Sequence, residues 1–131
     1  MTWTSPLSAL SERVIGAAIE VHRHLGPGLL ESVYADCLCE ELRLAGLLAE
    51  REVALPLEYK GVRLARTLRL DLLVENQLII ETKAVSTLEP VHTAQLLTYL
   101  RLANQPLGLL LNFNVPALRQ GIKRVVNQLP E

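Results

Sequence analysis

Charged side chains within a strongly apolar stretch constrain this chain more than any other feature of its sequence. Residues 67–85 contain two runs of branched apolar residues separated by polar residues 75–77, a pattern that predicts a β-hairpin. Asp71 lies in the first run, and Glu81 and Lys83 lie in the second. Burying a charge among Leu, Ile and Val costs free energy unless the charge meets another charge, a metal ion or water. The hairpin is therefore expected to hold either a structural ion pair or a polar site.

The length of the hairpin loop decides which of these charges can meet. Glu81 and Lys83 are two residues apart and therefore share one face of a strand. A two-residue loop would place Asp71 opposite Ile80, whereas a three-residue loop over 75–77 places Asp71 opposite Glu81. Three-residue loops with one left-handed residue are common, and Asn tolerates that conformation. We therefore predict the three-residue loop, which brings two carboxylates and an ammonium group together.

Size and charge leave the choice of partner open. The chain has 131 residues, half of them apolar, which suffices for one domain with a sizeable core, and a formal net charge of −1. Residues 1–50 hold seven acids and three bases, whereas residues 51–131 hold seven acids and ten bases. Five bases shortly precede Asp71, namely Arg51, Lys60, Arg63, Arg66 and Arg69. They are typical either of a surface for an anionic partner or of a solvated sheet edge that resists strand pairing.

The composition does not indicate a redox, zinc or membrane protein. Cys37 and Cys39 are the only cysteines, and at this spacing on a predicted helix they point apart. They match no redox or zinc motif and are interpreted as small buried hydrophobes in a reducing compartment. The sequence has no signal-peptide pattern at its start and no apolar run long enough to span a membrane. We therefore expect a cytoplasmic protein without a membrane partner.

Hydrophobic periodicity and turn residues predict an α/β domain with the order α-α-β-β-β-α-β-α. Residues 1–6 are expected to be an unstructured lead, and residues 7–131 a single domain. The predicted helices run from a cap at Ser8 or Ser11 to Leu25, then over 29–45, 90–104 and 115–127, and the predicted strands over 53–59, 62–74, 77–85 and 107–113.

These elements predict a four-stranded mixed sheet flanked by helices, with three strands in a meander and a fourth added by a right-handed crossover. Pro56 indicates that the first strand lies at an edge or carries a bulge. The uninterrupted apolar run 107–113 is typical of a strand buried on both faces. Because a helix precedes this strand, we expect it to be parallel to the third strand.

Two helices present further candidate residues. Glu31 and Tyr34 are i, i+3 neighbours near the start of the second helix, so both are expected to face one cleft. Glu31 would also suit the dipole of that helix without any further role. Gln95 and Tyr99 are i, i+4 neighbours on the third helix, where they form either part of a site or a half-buried polar pair.

The charged residues of the hairpin occur in the pattern Asp71-x9-Glu81-x-Lys83, which resembles the catalytic signature of the PD-(D/E)XK nuclease superfamily. The core of that superfamily is a helix, a three-stranded meander, a helix and a further strand, the order predicted above. Many members of its DNA-end-processing branch carry Gln-x-x-x-Tyr on the helix after the catalytic strand. Gln95 and Tyr99 match that motif. The resemblance therefore implies a restriction-endonuclease-like fold.

The N-terminal part resembles a narrower family. Residues 21–34 include the pattern Gly28-x-x-Glu31-x-x-Tyr34 and are similar to the signature of the GxxExxY proteins, a bacterial and archaeal family of the same superfamily. The similarity extends over residues 7–127. It implies a nuclease-like site without specifying a substrate.

The resemblance implies a phosphodiesterase that depends on Mg²⁺ or Mn²⁺ and acts on nucleic acid, with DNA as the expected substrate. Asp71 and Glu81 would be the principal metal ligands. The Thr82 carbonyl would add a third ligand, and Glu31 would bind the metal directly or through water. Oxygen ligands suit Mg²⁺, a hard cation that usually takes few ligands from protein and keeps several waters.

The other site residues take their roles from the same resemblance. Lys83, protonated beside the carboxylates, would position or activate the attacking water and offset phosphate charge. Gln95 would hydrogen-bond near the scissile phosphate or to the metal-bound water, and Tyr99 would support the site or contact substrate. Tyr34 and Arg69 are the other expected substrate contacts.

Two other function classes stay open. One is a nucleic-acid-binding or interaction module whose metal site has little turnover. The other is a hydrolase of small phosphate compounds. The domain is small and near neutral, and its one Phe, one Trp and three Tyr offer few stacking platforms for single strands. A homodimer or a partner protein is expected to supply the missing surface.

Overall fold

Residues 5–128 are described by a computed structural model and form three α-helices, one short 3₁₀ helix and one five-stranded sheet. The elements are α1 (Pro6–Leu25), α2 (Glu31–Leu44), β1 (Ala49–Tyr59), β2 (Val62–Val74), β3 (Leu78–Lys83), α3 (Pro90–Ala103), β4 (Leu107–Asn112), the 3₁₀ helix (Leu118–Gly121) and β5 (Ile122–Val126). The sheet order is β1-β2-β3-β4-β5, in which β3 and β4 are parallel and the other neighbours are antiparallel. The predicted mixed α/β fold is confirmed, with one strand more than expected.

The predicted final helix over 115–127 is wrong. This segment forms the 3₁₀ helix and then β5, which pairs antiparallel with β4. Its apolar spacing also fits a strand, and β4 would otherwise leave one row of backbone hydrogen-bonding groups unpaired. The backbone of Gly121 lies against the carbonyl of Asn112, with no room for a Cβ atom. Pairing with β4 therefore decided the structure of this segment.

The first helix begins earlier than predicted. The Ser5 hydroxyl caps it by accepting a hydrogen bond from Ser8 N at 3.1 Å, and Pro6 occupies the first turn. Ser11 is buried within the helix and donates to the Ser8 carbonyl at 2.8 Å, so neither Ser8 nor Ser11 is the cap. The predicted lead therefore cannot include Ser5 and Pro6, and its residues 1–4 lie outside the described residues.

Helices cover both faces of the sheet. On one face α1 and α2 pack against a cluster that includes Leu72 and Ile80. On the other face α3 packs against a second cluster that includes Leu73 and Ile79. Cys37 and Cys39 are half-buried free thiols beside the first cluster.

The two predictions about individual strands are confirmed. Every residue of β4 is buried, and β4 is parallel to β3. β1 lies at the edge of the sheet, and its pairing shifts between Pro56 and Glu58. Among the described residues, no helix is both long and apolar enough to cross a membrane.

The alternation of side chains along β2 inverts at Asp71. Leu68 and Leu70 pack on the α3 face, whereas Leu72 packs on the α1–α2 face, although strict alternation would keep all three on one face. The paired strand β1 changes faces at the same level, where Glu52 has a left-handed φ of 52°. Asp71 therefore lies at the position where the apolar side chains of β2 change from facing α3 to facing α1 and α2.

Candidate active site

The hairpin between β2 and β3 has the predicted three-residue loop. Leu72 pairs with Ile80, and Val74 pairs with Leu78. Two loop residues are left-handed rather than one, with φ of 52° at Glu75 and 57° at Asn76. Glu75 is held in this conformation by Leu48, whose amide donates to Glu75 Oε2 at 2.6 Å and whose carbonyl accepts from the Glu75 amide at 2.8 Å.

Side chains replace the backbone ladder beyond Leu72 and Ile80. The Asp71 amide donates to Glu81 Oε1 at 3.4 Å. The amide and the hydroxyl of Thr82 both donate to Asp71 Oδ2, at 2.9 and 3.1 Å. The two carboxyl groups therefore lie side by side between β2 and β3, as the predicted register required.

The environment of Glu81 disfavours its charge. Its side chain lies on the α3 face, and the residue is only 5% exposed. Burial, together with the charge of Asp71 and a hydrogen bond to Asp71, raises the pKa of Glu81 to about 9, and Lys83 lowers it only in part. Without a bound cation, the protonated form of Glu81, hydrogen-bonded to Asp71, is therefore favoured at neutral pH.

Lys83 lies two residues after Glu81 on the same face of β3 and is half-buried. Its charge acts on the Glu81 carboxyl. Between residues 5 and 128 it forms no ion pair with any carboxylate. The ammonium group is therefore available to a ligand rather than neutralised within the fold.

Helix α3 brings Tyr99 towards the carboxyl pair. Tyr99 is half-buried, and its pKa is raised by burial and by the charges of Glu81 and Asp71. Gln95 lies one turn earlier on the same side of α3 and is exposed. The structure therefore brings Tyr99 to the carboxyl pair, whereas the role of Gln95 stays a prediction.

A family model described as the PD-(D/E)XK nuclease superfamily matches residues 8–125. This chain belongs to the PD-(D/E)XK nuclease superfamily. The match confirms the resemblance at the level of the superfamily, whereas membership of the GxxExxY family stays a prediction. Neither a curated protein nor a solved structure matches the chain.

In this PD-(D/E)XK chain, Tyr34 does not line the cleft, so the predicted substrate contact is wrong. Its side chain is fully buried, and its ring stacks on Phe113 at a centroid distance of 4.5 Å. The hydroxyl donates to the Gly26 carbonyl at 2.6 Å and accepts from the Leu29 amide at 3.1 Å. Tyr34 therefore fixes the loop between α1 and α2 from inside the core. Glu31, three residues earlier, is exposed, so the two do not share one cleft.

The carboxyl pair fits a hard divalent cation. A buried carboxyl group without a counter-charge regains its charged form when a cation binds, and Mg²⁺ needs few protein oxygens because it keeps waters. In the described part of the chain, no group of three or more His, Cys, Asp or Glu side chains could hold a metal ion. Glu31 is thus not brought together with Asp71 and Glu81, and its role as a ligand stays a prediction, as does that of the Thr82 carbonyl.

Sequence reasoning gave Arg51 no individual role. Its Nη1 donates to the Asp71 carbonyl at 2.8 Å, and its Nε donates to Asp36 Oδ1 at 2.9 Å. Arg51 pairs with Leu72 across β1 and β2, next to the position where both strands change faces. It therefore holds the backbone of the Asp71 position. This contact could have been predicted only from the register of β1 against β2. The turn residues between these two strands do not determine that register.

Arg69 lies two residues before Asp71 on β2 and is exposed. Its guanidinium is 3.9 Å from Glu52 Oε2, a solvated contact that a phosphate can replace. The predicted substrate contact at Arg69 is therefore compatible with its exposure, and it stays a prediction.

Proposed function

We propose that this protein is a metal-dependent nuclease that hydrolyses phosphodiester bonds, with DNA as its substrate. Membership of the nuclease superfamily supports the reaction class. The observation that carries the proposal is the contact between the Asp71 and Glu81 carboxyl groups, with Lys83 two residues after Glu81 on the same strand. An apolar core alone gives no reason for two carboxyl groups in contact beside an unpaired ammonium group.

Asp71, Glu81 and the Thr82 carbonyl would hold Mg²⁺ or Mn²⁺. When bound, such a cation supplies charge neutralisation at the phosphate and a lowered pKa for the attacking water. Binding requires Glu81 to release its proton, so the affinity is expected to rise with pH. The Thr82 amide and hydroxyl orient Asp71, which limits the reorganisation needed for binding.

The remaining residues would position the substrate. Lys83, on the same face as Glu81, would orient the attacking water and balance the phosphate charge. Gln95, which lies one turn before Tyr99 on α3, would bond to the phosphate, and Tyr99 would flank it. Arg69 would contact the backbone of the DNA.

The test is cleavage of end-labelled single- and double-stranded DNA by the wild type beside Lys83→Ala. With Mg²⁺ or Mn²⁺ we expect cleavage by the wild type and a loss of about a hundredfold or more in the variant. Arg43→Ala is the control, because it removes one positive charge from an exposed site at the end of α2.

A wild type that binds the metal in calorimetry but cleaves no DNA would refute the nuclease assignment. The protein would then be a binding module, or a hydrolase of small phosphate compounds if mononucleotides are cleaved instead.

A further inference from the structure

The β1–β2 hairpin extends beyond the body of the domain. Residues 56–69 form this extended part, the ribbon. All its residues are exposed except Leu57 and Leu68, which are half-buried. Pairing nevertheless continues to Tyr59 and Val62, and the tip is closed by Lys60 and Gly61 with left-handed φ of 50° and 79°. The ribbon is therefore a two-stranded arm, with a shift in pairing between Pro56 and Glu58, that packs on the α3 face through Leu68.

The ribbon is positively charged on an otherwise acidic protein. It holds four bases and one acid, a charge of +3, while the chain carries −1, so the remainder carries −4. Among the ion pairs of the described residues, none involves Lys60, Arg63 or Arg66. Such a concentration of unpaired charge attracts an anionic partner.

Protection of a sheet edge does not account for the whole ribbon. Charged side chains alone would be enough to prevent pairing with a strand of another molecule. The tip nevertheless also exposes two large apolar residues, Tyr59 and Val62, which pair with each other and are 62% and 59% exposed. Basic side chains with exposed apolar side chains between them complement a groove whose walls carry negative charge, such as a groove of a nucleic acid.

We propose that the ribbon inserts into the major groove of double-stranded DNA and holds it for cleavage at the carboxyl pair. This inference rests on the proposed nuclease function and names its substrate as duplex DNA. The major groove, about 12 Å wide, admits a two-stranded ribbon. Arg63 and Arg66 then contact the flanking phosphates, and the apolar tip contacts the thymine methyl groups.

The geometry of β2 sets the length of DNA that is engaged. This strand runs without interruption from the tip to Asp71. At about 3.3 Å per residue, Arg63 lies roughly 26 Å along the strand from Asp71, the length of about eight base pairs. A duplex must therefore exceed about eight base pairs to occupy the ribbon and the carboxyl pair together.

The test compares Arg63→Gln/Arg66→Gln with the wild type in a chelator, where binding is measured without cleavage. On a duplex of about 24 base pairs we expect affinity to fall on the order of 50-fold at about 0.1 M salt, with the slope of log K against log salt shallower by about two. The control Arg23→Gln/Arg43→Gln removes the same charge from surface pairs on α1 and α2 and should bind like the wild type.

A second variant, Tyr59→Ser/Val62→Ser, tests the apolar tip and is expected to weaken binding without changing the salt slope. Both ribbon variants should keep the thermal midpoint of the wild type, because their side chains are exposed.

Three results would overturn the inference. The first is unchanged binding of duplex DNA by Arg63→Gln/Arg66→Gln. The second is an equal loss of affinity for double-stranded RNA, because the major groove of that duplex is too narrow for the ribbon. The third is a variant that loses self-association instead of DNA binding. If the ribbon variants lose binding but the wild type never cleaves, the nuclease function fails while the ribbon stays a DNA-binding arm. If the wild type cleaves DNA and the ribbon variants bind normally, only the ribbon inference fails.

Discussion

From Leu70 to Val74, β2 is buried or half-buried between helices, whereas residues 62–67 of the same strand are exposed. In the packed half, each charge must be balanced locally, and Asp71 and Glu81 meet through shared hydrogen bonds. In the ribbon, water screens the charges, so several cations can stand side by side at little cost. Strand β2 thus contributes both to a buried carboxyl pair, in which the pKa of Glu81 is raised, and to an arm suited to an anionic partner.

The largest expected effect is a pH dependence that originates only in the packed half. The pKa of Glu81 is about 9 in the folded protein against 4.5 as its ordinary value, so the folded state binds the proton more tightly. The stabilisation is complete below pH 4.5 and is lost as the pH rises towards about 9, by up to about 1.4 kcal/mol per pH unit. Urea unfolding in a chelator should therefore show falling stability with rising pH, and Glu81→Gln should flatten the curve. A wild-type stability that rises over this window would contradict the buried carboxyl pair.

Truncating one leucine in each half sharpens the contrast. Leu72 is 0% exposed and packs with α1 and α2, whereas Leu64 in the ribbon is 40% exposed. We expect Leu72→Ala to lower the free energy of unfolding by about 2–5 kcal/mol, and Leu64→Ala by less than about 1 kcal/mol. Equal losses in urea unfolding would mean that the ribbon is packed in solution.

Metal binding should stabilise the protein through the carboxyl pair of the packed half and not through the ribbon. With Mg²⁺ at a hundredfold excess over its Kd, the wild type should gain about 2.7 kcal/mol, and Glu81→Ala should gain nothing. Thermal unfolding with and without Mg²⁺ measures this gain. Glu40→Ala is the matched control, because Glu40 is exposed on α2 in an ion pair with Arg43, and Glu31→Ala tests the further ligand that the resemblance implies. Loss of the gain in Glu31→Ala as well would identify Glu31 as a further ligand, and an unchanged gain in Glu81→Ala would refute the metal site.

The smallest effect concerns the junction between the two halves. Arg51→Met removes the bond to the Asp71 carbonyl and is expected to cost about 1.5–3 kcal/mol and to weaken Mg²⁺ binding. Asp36→Asn removes only the exposed partner of Arg51 and should cost no more than about 1 kcal/mol. If the two variants have equal stability and metal affinity, Arg51 does not position Asp71.

Local sequence signals predicted the hairpin well. The bounds of β2, the loop over 75–77 and the contact between Asp71 and Glu81 all follow from apolar alternation interrupted by polar residues. The burial of β4 on both faces follows from an uninterrupted apolar run. These features depend on neighbours in sequence, or on one turn, and such interactions act before the chain is compact.

Only the tertiary structure decided the features that depend on distant segments. Residues 122–126 form a strand because β4 offers a free edge, and Tyr34 is buried because Phe113 lies beneath its ring. The inversion at Asp71 and the Arg51 contact arise from the pairing of β1 with β2. In each case the sequence allows more than one local structure, and the free energy of burial and backbone pairing between segments far apart in the chain selects one of them.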